Sequence, residues 1–445
     1  MRKELTPPLG DSDFLDERFL REDPPETRTE AQRDRDRILY SSALQRLGGI
    51  TQVSPPESGY AFHTRLIHSV KVAQVAQRIA QRLKAQGGAG SDLVEKILDA
   101  LDVDAVEAAG LAHDLGHPPF GHIAETELKS LAVAAELDGF EGNAQSFRIL
   151  TRLGTAGPFT AKSTGLNLTR RTLSGTLKYP WLRNAENPNR KEKWGAYPPD
   201  SGYFEWVREG WPTEQVPTRS LEAEIMDWAD DVTYAVHDVD DFYRAGLIPL
   251  DRLRSDREEL QRFQEYMGTK KLVTQVIEAA DRLYEDKLGL GIADPYEGRL
   301  EQRAGLRAAG GGLIGRYVQA ARLLEADGKA FFSVPDEVVS EVGMLKQLTW
   351  FYVIDRPSLA IIQEGQRQVI RTLFESYRDG IKREQYRLFP PGYVERLEAA
   401  ETDPAKVRAV IDLIAGLTEA AAVQIYQRLC GHSTGSLLGA AGQLP

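Results

Sequence analysis

Apolar residues that recur with a helical period are the feature that most constrains the fold of this chain. In the segment 69–83, valine, alanine, isoleucine and leucine return at intervals near 3.6 residues, and the segments 220–243, 272–289 and 369–381 follow the same pattern. That interval places the apolar side chains on one face of each helix. Alternating patterns typical of strands are scarce. We therefore predict an all-α protein whose helices are joined by short turns.

Composition narrows the classes of protein that this chain can belong to. Its 445 residues can bury a large core, and no apolar run approaches the roughly 20 residues of a membrane-spanning helix. The N-terminal stretch MRKELTPPLGDSDF has no apolar segment after its basic residues, so we expect no secretory signal. The single cysteine, Cys430, excludes an intrachain disulfide and fits a reducing cytoplasm. A net charge of −11 argues against general nucleic-acid binding but leaves a local basic patch open.

One region, residues 154–218, interrupts the helical pattern and is called the basic insertion below. It is rich in glycine, proline, asparagine and aromatic residues, and it is too long for a simple connection, so we expect a functional loop with short helical pieces. Between residues 160 and 195 its acidic residues are Glu186 and Glu192, against the basic residues Lys162, Arg170, Arg171, Lys178, Arg183, Arg190, Lys191 and Lys193. Two interpretations stay open: a solvated basic loop, or a lid that supplies cations to a polyanionic ligand.

The chain has seven histidines, and three of them lie in the stretch LAHDLGHPPFGH at residues 111–122. His113 and His117 are four residues apart and share a helical face, with Asp114 beside the first of them. The two prolines that follow end this helix, since a residue before proline disfavours helical backbone. Beyond them, His122 and Glu125 lie three residues apart on the next helix. We expect the prolines to hold these two polar clusters at a fixed elbow.

An adjacent histidine and aspartate supply one nitrogen and one oxygen ligand to a divalent metal ion. Two ligands do not complete a site, and His68, at the start of an amphipathic helix, is a candidate for a third. A further carboxylate can come from the segment MDWADDVTYAVHD at 226–238, where acidic residues enter an apolar helical face. His63 and His432 lack such neighbours, so we expect them to be ordinary core or surface residues.

Taken together, these motifs resemble the HD superfamily of metal-dependent phosphohydrolases. Within that superfamily, the stretch HDLGHPPFGH with Glu125 is most similar to the dGTPase-like branch, which consists of deoxynucleoside triphosphate (dNTP) triphosphohydrolases. The resemblance spans roughly residues 30 to 435. Five further segments agree with that branch in order: ILYSSALQRLGGITQV (38–53), TRLIHSVKVAQVA (64–76), GLNLTRRTLSGTLKYP (165–180), EAEIMDWADDVTYAVHDVDD (222–241) and LTEAAAVQIYQRLCG (417–431).

The resemblance also implies a domain plan. An N-terminal arm, partly flexible, is expected over residues 1–30. The HD-domain catalytic core is expected over 31–245, with the basic insertion inside it. A C-terminal helical region, 246–445, is expected to pack on that core.

Residue roles follow from the resemblance position by position. The implied metal ligands are His68, His113, Asp114 and Asp230. Asp230 is preferred to Asp231 because the family places a tyrosine four residues and an aspartate eight residues after this ligand. The implied catalytic residues are His122, its partner Glu125, and His117 near the phosphates. The implied substrate-binding residues are Arg65, Lys178, Tyr179, Tyr234, Asp238 and Arg46.

The activity that the resemblance implies is hydrolysis of a dNTP to a deoxynucleoside and intact triphosphate. One divalent ion is expected per site, manganese or magnesium first, although cobalt, nickel or iron also suits such ligands. A homo-oligomer, hexameric by resemblance, is expected, with no membrane association; a dNTP effector or single-stranded nucleic acid as partner stays open. The alternatives are another HD-type nucleotide phosphohydrolase or phosphodiesterase, or a non-catalytic nucleotide- or nucleic-acid-binding scaffold.

Two positions depart from the family pattern. Gly48 stands where many relatives have a glutamine near the sugar, which leaves the preferred base open. Glu419 replaces an aspartate in the segment LTEAAA, and we expect it on a surface or packing helix.

Overall fold

A computed structural model describes residues 1–5, 12–22, 27–52, 63–88, 90–155, 165–211, 217–285, 287–288 and 291–432. Helices dominate these residues, which confirms the prediction of a mainly helical fold. The α-helices are α1 (Ser12–Leu15), α2 (Glu30–Leu39), α3 (Ser42–Arg46), α4 (Arg65–Gln86), α5 (Asp92–Ala100), α6 (Val103–Ala112), α7 (His122–Ala134), α8 (Gly142–Arg148), α9 (Arg170–Thr176), α10 (Pro188–Lys191), α11 (Ser201–Arg208), α12 (Leu221–Arg244), α13 (Leu250–Ser255), α14 (Arg257–Thr269), α15 (Thr274–Glu278), α16 (Asp281–Tyr284), α17 (Leu300–Ala320), α18 (Asp336–Thr349), α19 (Pro357–Lys382), α20 (Pro391–Glu398), α21 (Asp403–Ala415) and α22 (Glu419–Leu429).

A small antiparallel sheet accompanies the helices. Its strands are β1 (Arg2–Leu5), β2 (Arg322–Ala326) and β3 (Lys329–Ser333), in the spatial order β1-β3-β2. The hairpin between β2 and β3 turns at Asp327 and Gly328, whose φ values of 52° and 72° suit the tight turns that match strand twist. Each strand has four or five residues, too few to give a clear alternating pattern in the sequence.

The helices α4, α6 and α12 form the core that carries the site. Each begins at a residue whose side chain caps the first turn: Thr64, Asp102 and Ser220 accept hydrogen bonds from backbone N–H groups. The helices α4 and α6 approach closely at Gly110, where an added Cβ would lie 2.6 Å from the Cα of Ala73. This contact fixes the end of α6, where the HD motif begins, against the first half of α4.

The helices near the C-terminus pack on the core in two places. Against α12 lies α18, and a π-helical turn, Trp350–Ile354, extends it. Against α7 lie α19 and α21, through a shared cluster of buried apolar side chains.

Among the described residues no single helix is long and apolar enough to cross a membrane. The helices α21 and α22 reach the necessary length and apolar character only as a pair, and the pair is bent by 116° at the break between them.

The described part of the basic insertion contains the short helices α9, α10 and α11, as predicted. Two of its arginines are structural. Arg170 and Arg171 are buried, they donate to the carboxylates of Glu17 and Asp16 just after α1, and they also donate to backbone carbonyls. Lys162 lies outside the described residues.

Candidate active site

Three helices bring the predicted metal ligands together. His68 lies in the first turn of α4, His113 directly follows α6, and Asp230 lies in the middle of α12. The Nε2 atom of His68 is 3.0 Å from Oδ1 of Asp230, and the Nε2 atom of His113 is 3.6 Å from the same oxygen. Asp230 therefore stands between two imidazoles that come from separate helices.

The tautomer of His113 is fixed by the backbone. Its Nδ1 lies 2.8 Å from the carbonyl oxygen of Gly110, so Nδ1 carries the proton and donates it. Its Nε2 is buried and has no hydrogen-bond partner among the described residues. That atom lies 3.5 Å from Oδ1 of Asp114, and a free imidazole nitrogen beside carboxylate oxygens is the donor set of a divalent transition metal. The ligand atoms of His68, His113 and Asp114 all lie within 4.8 Å of one another.

Both acidic members of the cluster are held ionised. Burial alone would raise the pKa of Asp230, but the charge of Lys178 and the hydrogen bond from His68 outweigh it and lower that pKa. Burial also opposes ionisation of Asp114, yet neighbouring histidines and Arg65 hold its pKa well below the usual range. Arg65 donates to Oδ2 of Asp114 at 2.7 Å. Oδ1 of Asp114 is left facing the cluster.

Asp231, the neighbour of Asp230, has a different partner. Its Oδ1 lies 2.6 Å from Nζ of Lys346 on α18, and it makes no described contact with the histidines. Lys178 binds Asp227 at 2.7 Å and Oδ2 of Asp230 at 3.3 Å. Asp230 therefore lies against the two histidines, whereas Asp231 lies against Lys346.

The elbow, residues 113–121, connects α6 to α7 through strained backbone. Phe120 and Gly121 have φ values of 68° and 57°, a left-handed conformation that costs free energy for a phenylalanine. Side chains from outside hold the turn: Arg46 donates to the carbonyl oxygens of Leu115 and His117 at 2.7 and 2.9 Å. The carboxylate of Glu419 accepts from the backbone N–H of Phe120 at 3.3 Å.

His122 and Glu125 form a close pair at the start of α7. Nδ1 of His122 is 2.6 Å from Oε2 of Glu125, whose other oxygen accepts the backbone N–H of Gly142 at 3.0 Å. Burial would raise the pKa of Glu125, but the hydrogen bond from His122 and nearby positive charges lower it, so the carboxylate is ionised. The His122 side chain is 69% exposed, which leaves its Nε2 open to a ligand.

His117 lies between the two clusters. Its Nδ1 is 3.1 Å from Oδ1 of Asp114, and its ring centre is 5.8 Å from that of His122. Burial, reinforced by the charge of Arg65, lowers the pKa of His117 to about 3, so this imidazole is neutral at neutral pH. The elbow therefore places a neutral histidine between the metal-type cluster and the exposed His122–Glu125 pair.

A cavity of about 610 Å³ joins these groups. Four cationic side chains line it: Arg65, Lys178, Lys193 and Lys346. Lys178 and Lys193 belong to the basic insertion, which supports the interpretation that this region supplies cations to a ligand. Arg183, Arg190 and Lys191, by contrast, do not line the cavity.

The opposite wall of the cavity consists of residues that the sequence did not single out. It comes from α18, the π-helical turn and α19, with Lys346, Trp350, Ile354, Asp355, Gln363 and Gln366. No local motif marks these positions, because they reach the cavity only through the packing of α18 on α12. Glu419, at the start of the packed helix α22, also lines the cavity, and its carboxylate accepts hydrogen bonds from Thr51 at 2.6 and 2.9 Å.

Most of the predicted site residues lie in the cavity wall. Those that line it are His68, His113, Asp114, His117, His122, Asp230, Arg65, Lys178, Tyr179 and Tyr234. Glu125 stands behind His122, and Arg46 supports the elbow rather than facing the cavity. Asp238 is 4% exposed and does not line the cavity. Burial and, to a smaller extent, the nearby Asp241 raise its pKa well above the usual range, so its carboxyl group is a weak acid. His63 lies apart from the cavity and pairs with Asp241.

A helical core with a histidine–aspartate cluster at the end of α6 is the arrangement of the HD-domain phosphohydrolases. The HD domain family matches residues 65–156, and the phosphohydrolase-associated domain family matches residues 332–428. Those two ranges contain the elbow and the opposite wall of the cavity, respectively.

Whole-chain relatives define the family more closely. The deoxyguanosinetriphosphate triphosphohydrolase-like protein of Streptomyces coelicolor is 39% identical to this chain, over 91% of the chain and 93% of the relative. Proteins of the same description from Corynebacterium efficiens and Haemophilus influenzae are 37% and 29% identical, each over more than 90% of both chains. The chain belongs to the deoxyguanosinetriphosphate triphosphohydrolase-like family.

Proposed function

We propose that this protein hydrolyses deoxynucleoside triphosphates to a deoxynucleoside and inorganic triphosphate, with one divalent metal ion held by His68, His113, Asp114 and Asp230. The observation that carries the proposal is the buried Nε2 of His113, which lacks a described partner and lies beside two ionised carboxylates. The His122–Glu125 pair opens into the same cavity.

The donor set suits manganese or magnesium, and also iron, cobalt or nickel, because it combines two imidazole nitrogens with two carboxylates. When bound, such an ion polarises a phosphate oxygen and offsets charge that develops during hydrolysis. Lys178 contacts Asp230, and Arg65 contacts Asp114, so both cations also steady the carboxylates that face the ion.

Cations around the cavity account for the binding of a polyanion. A triphosphate carries about four negative charges at neutral pH, and charge-assisted hydrogen bonds from arginine and lysine are strong. Arg65, Lys178, Lys193 and Lys346 line the cavity from three parts of the chain: α4, the basic insertion and α18. In this proposal Lys178, Tyr179 and Lys193 lie at the triphosphate, and Tyr234 borders the sugar.

His122 is the group proposed to move the proton. Water attacks the α-phosphorus, the bond from that phosphorus to the 5′-oxygen breaks, and the 5′-oxygen must gain a proton. An imidazole titrates near neutral pH, and the ionised Glu125 orients it through Nδ1, so that Nε2 can accept or donate the proton. The neutral His117 is proposed to contact the phosphates.

A product assay tests this proposal. Purified protein is incubated with each of the four dNTPs and Mn²⁺ or Mg²⁺, and products are separated by ion-exchange chromatography and identified by ³¹P NMR. The proposal expects deoxynucleoside and triphosphate in equal amounts. Release of single phosphate or of a monophosphate would favour another HD-type phosphohydrolase, and binding without turnover would favour the non-catalytic alternative.

Isotope-labelled water locates the broken bond. In H₂¹⁸O, attack at the α-phosphorus puts the label into the triphosphate, whereas attack at the 5′-carbon puts it into the deoxynucleoside. Mass spectrometry of both products distinguishes these results.

Several properties stay predictions: the preferred base, a dNTP effector or nucleic-acid partner, and a homo-oligomer in the cytoplasm. The assay with the four dNTPs addresses the preferred base.

A further inference from the structure

A second cavity, of about 250 Å³, lies between α5, α9 and the beginning of α12. It shares no lining residue with the candidate active site. Most of its described wall is apolar, with Leu5, Leu15, Leu93, Ile97, Leu101 and Leu221. Because a water molecule occupies about 30 Å³ of liquid, the cavity has room for a compact body of about eight non-hydrogen atoms.

Two buried donors face this apolar space without partners. Ser174 and Trp211 line the cavity and are 3% and 6% exposed, and neither Oγ of Ser174 nor Nε1 of Trp211 has a hydrogen-bond partner in the described part of the chain. Buried polar atoms without a partner are rare in folded proteins. An indole N–H only donates, so the missing group at Trp211 is an acceptor.

The charges around the cavity favour an acceptor that is negative. The 24-residue helix α12 begins at this cavity, and the N-terminus of a helix carries partial positive charge. Lys96 lies at the exposed side of the cavity and has no ion pair among the described residues, and Arg219 lines the wall. Glu222 is the acidic residue of the described wall, and it lies 3.9 Å from the guanidinium of Arg171.

We propose that this cavity binds a compact apolar carboxylate. The carboxylate accepts hydrogen bonds from Ser174 and Trp211 near the start of α12, and the apolar body packs against the leucines and isoleucine of the wall. A chain of about eight carbons matches the volume at about 30 Å³ for each carbon, with the two carboxylate oxygens at the donors on its edge.

An ion-pair chain leads from this cavity to the proposed metal ligands. Arg219 donates to Oδ2 of Asp227 at 2.6 Å, and Lys178 binds Oδ1 of Asp227 at 2.7 Å. Lys178 also contacts Asp230 at 3.3 Å. A bound carboxylate attracts Arg219 and weakens its ion pair with Asp227. Asp227 then attracts Lys178 more strongly and draws it away from the active site. A bound carboxylate is therefore expected to raise the KM for dNTP. This effect on hydrolysis rests on the proposed function; the binding itself does not.

Binding is tested on the full chain by isothermal titration calorimetry and thermal denaturation. The probes are octanoate, 1-octanol and octylammonium, which share a body and differ in the charge of the head. Octanoate is expected to bind saturably and raise Tm, octanol to bind more weakly, and octylammonium to bind least. Saturable binding of octylammonium as tight as that of octanoate, or no saturable binding of octanoate, would overturn the proposal.

Variants locate the bound probe. Ser174→Ala removes a buried donor and Lys96→Ala removes an exposed cation, and each is expected to weaken octanoate binding about threefold to tenfold. Ser130→Ala is the control, because Ser130 is an exposed helical serine that bonds only to the carbonyl of Thr126. Lys96→Ala changes an exposed side chain and keeps the test valid if Ser174→Ala does not fold. Equal octanoate affinity in the folded variants and the control would place the probe elsewhere.

Kinetics separate the coupling from the binding. Octanoate is expected to raise the KM for dNTP in the unmodified protein, and about threefold to tenfold more octanoate should be needed for the same effect in Lys96→Ala. Intact octanoate binding with an unchanged KM would overturn the ion-pair coupling alone. If the unmodified protein releases no triphosphate from any dNTP, the proposed function fails, while the calorimetric result still decides whether the cavity binds the carboxylate.

Discussion

Replacing Glu125 with glutamine perturbs the pair that is proposed to move the proton, while changing the shape of the site very little. Glu125 gives one oxygen to His122 at 2.6 Å and the other to the backbone N–H of Gly142 at 3.0 Å. A glutamine has one side-chain oxygen, and we expect it to stay on the buried N–H of Gly142. The new amide N–H then donates to Nδ1 of His122, and the imidazole proton moves to Nε2.

The expected magnitude follows from the bond that is lost. A hydrogen bond to a charged group contributes about 1.5–3 kcal/mol, so losing the ionised partner of His122 should lower kcat about 10- to 100-fold. His122→Ala removes the proton-transfer group itself and should lower kcat about 10²- to 10⁴-fold with little change in KM. Both variants should keep bound metal, because His68, His113, Asp114 and Asp230 are untouched.

Steady-state rates of triphosphate release, with metal content measured by elemental analysis, check this pair. The double variant should be as slow as His122→Ala alone, because Glu125 has no separate task once the histidine is gone. If the two effects multiply in the double variant, Glu125 acts directly on substrate and the orienting role is refuted. A His122→Ala protein that holds metal but no longer binds dNTP would instead make His122 a phosphate-binding residue.

Three further predictions address the metal cluster and the packing behind it. Asp114→Ala should contain less bound metal by elemental analysis, and its activity should fall by orders of magnitude. A variant that is fully metal-loaded and fully active would contradict the assignment of Asp114 as a metal ligand. Asp230→Ala should reduce metal binding and kcat far more than Asp231→Ala, and the reverse order would exchange their roles. Gly110→Ala should lower Tm, because its Cβ would meet the backbone of α4 at 2.6 Å and such overpacking costs about 1–3 kcal/mol, whereas Gly305→Ala, with open space around it, should leave Tm unchanged or raised.

Local spacing was sufficient to find the parts of the site that lie on one helix or one turn. His113, Asp114 and His117 are neighbours in sequence, so their proximity could be inferred from the order of residues alone. The predicted end of the helix at the prolines was wrong, because α6 ends at Ala112, six residues before Pro118. The choice of Asp230 over Asp231 needed the family pattern, and the contacts with His68 and Lys346 agree with it.

The opposite wall could not be inferred in this way, because its position depends on tertiary packing. Lys346 and Trp350 reach the cavity only because α18 packs on α12, and nothing in their own neighbourhood signals a ligand. The contacts of Glu419 at the cavity could not be inferred for the same reason, since Thr51 and Phe120 reach it across the fold. Arg46 matched a substrate-binding position in the family, whereas its hydrogen bonds here go to carbonyl groups of the elbow and of Leu417.

Contacts between the segment matched by the phosphohydrolase-associated family, residues 332–428, and the rest of the cavity wall limit how this protein can be recombined with its relatives. Lys346 meets Asp231, and Glu419 meets Thr51, so this segment and residues outside it complete the wall together. A chimera that takes residues 332–428 from a relative must import side chains that fit both contacts, or change their partners as well. Crossover points that keep these pairs from one parent should give active hybrids more often than points that separate them.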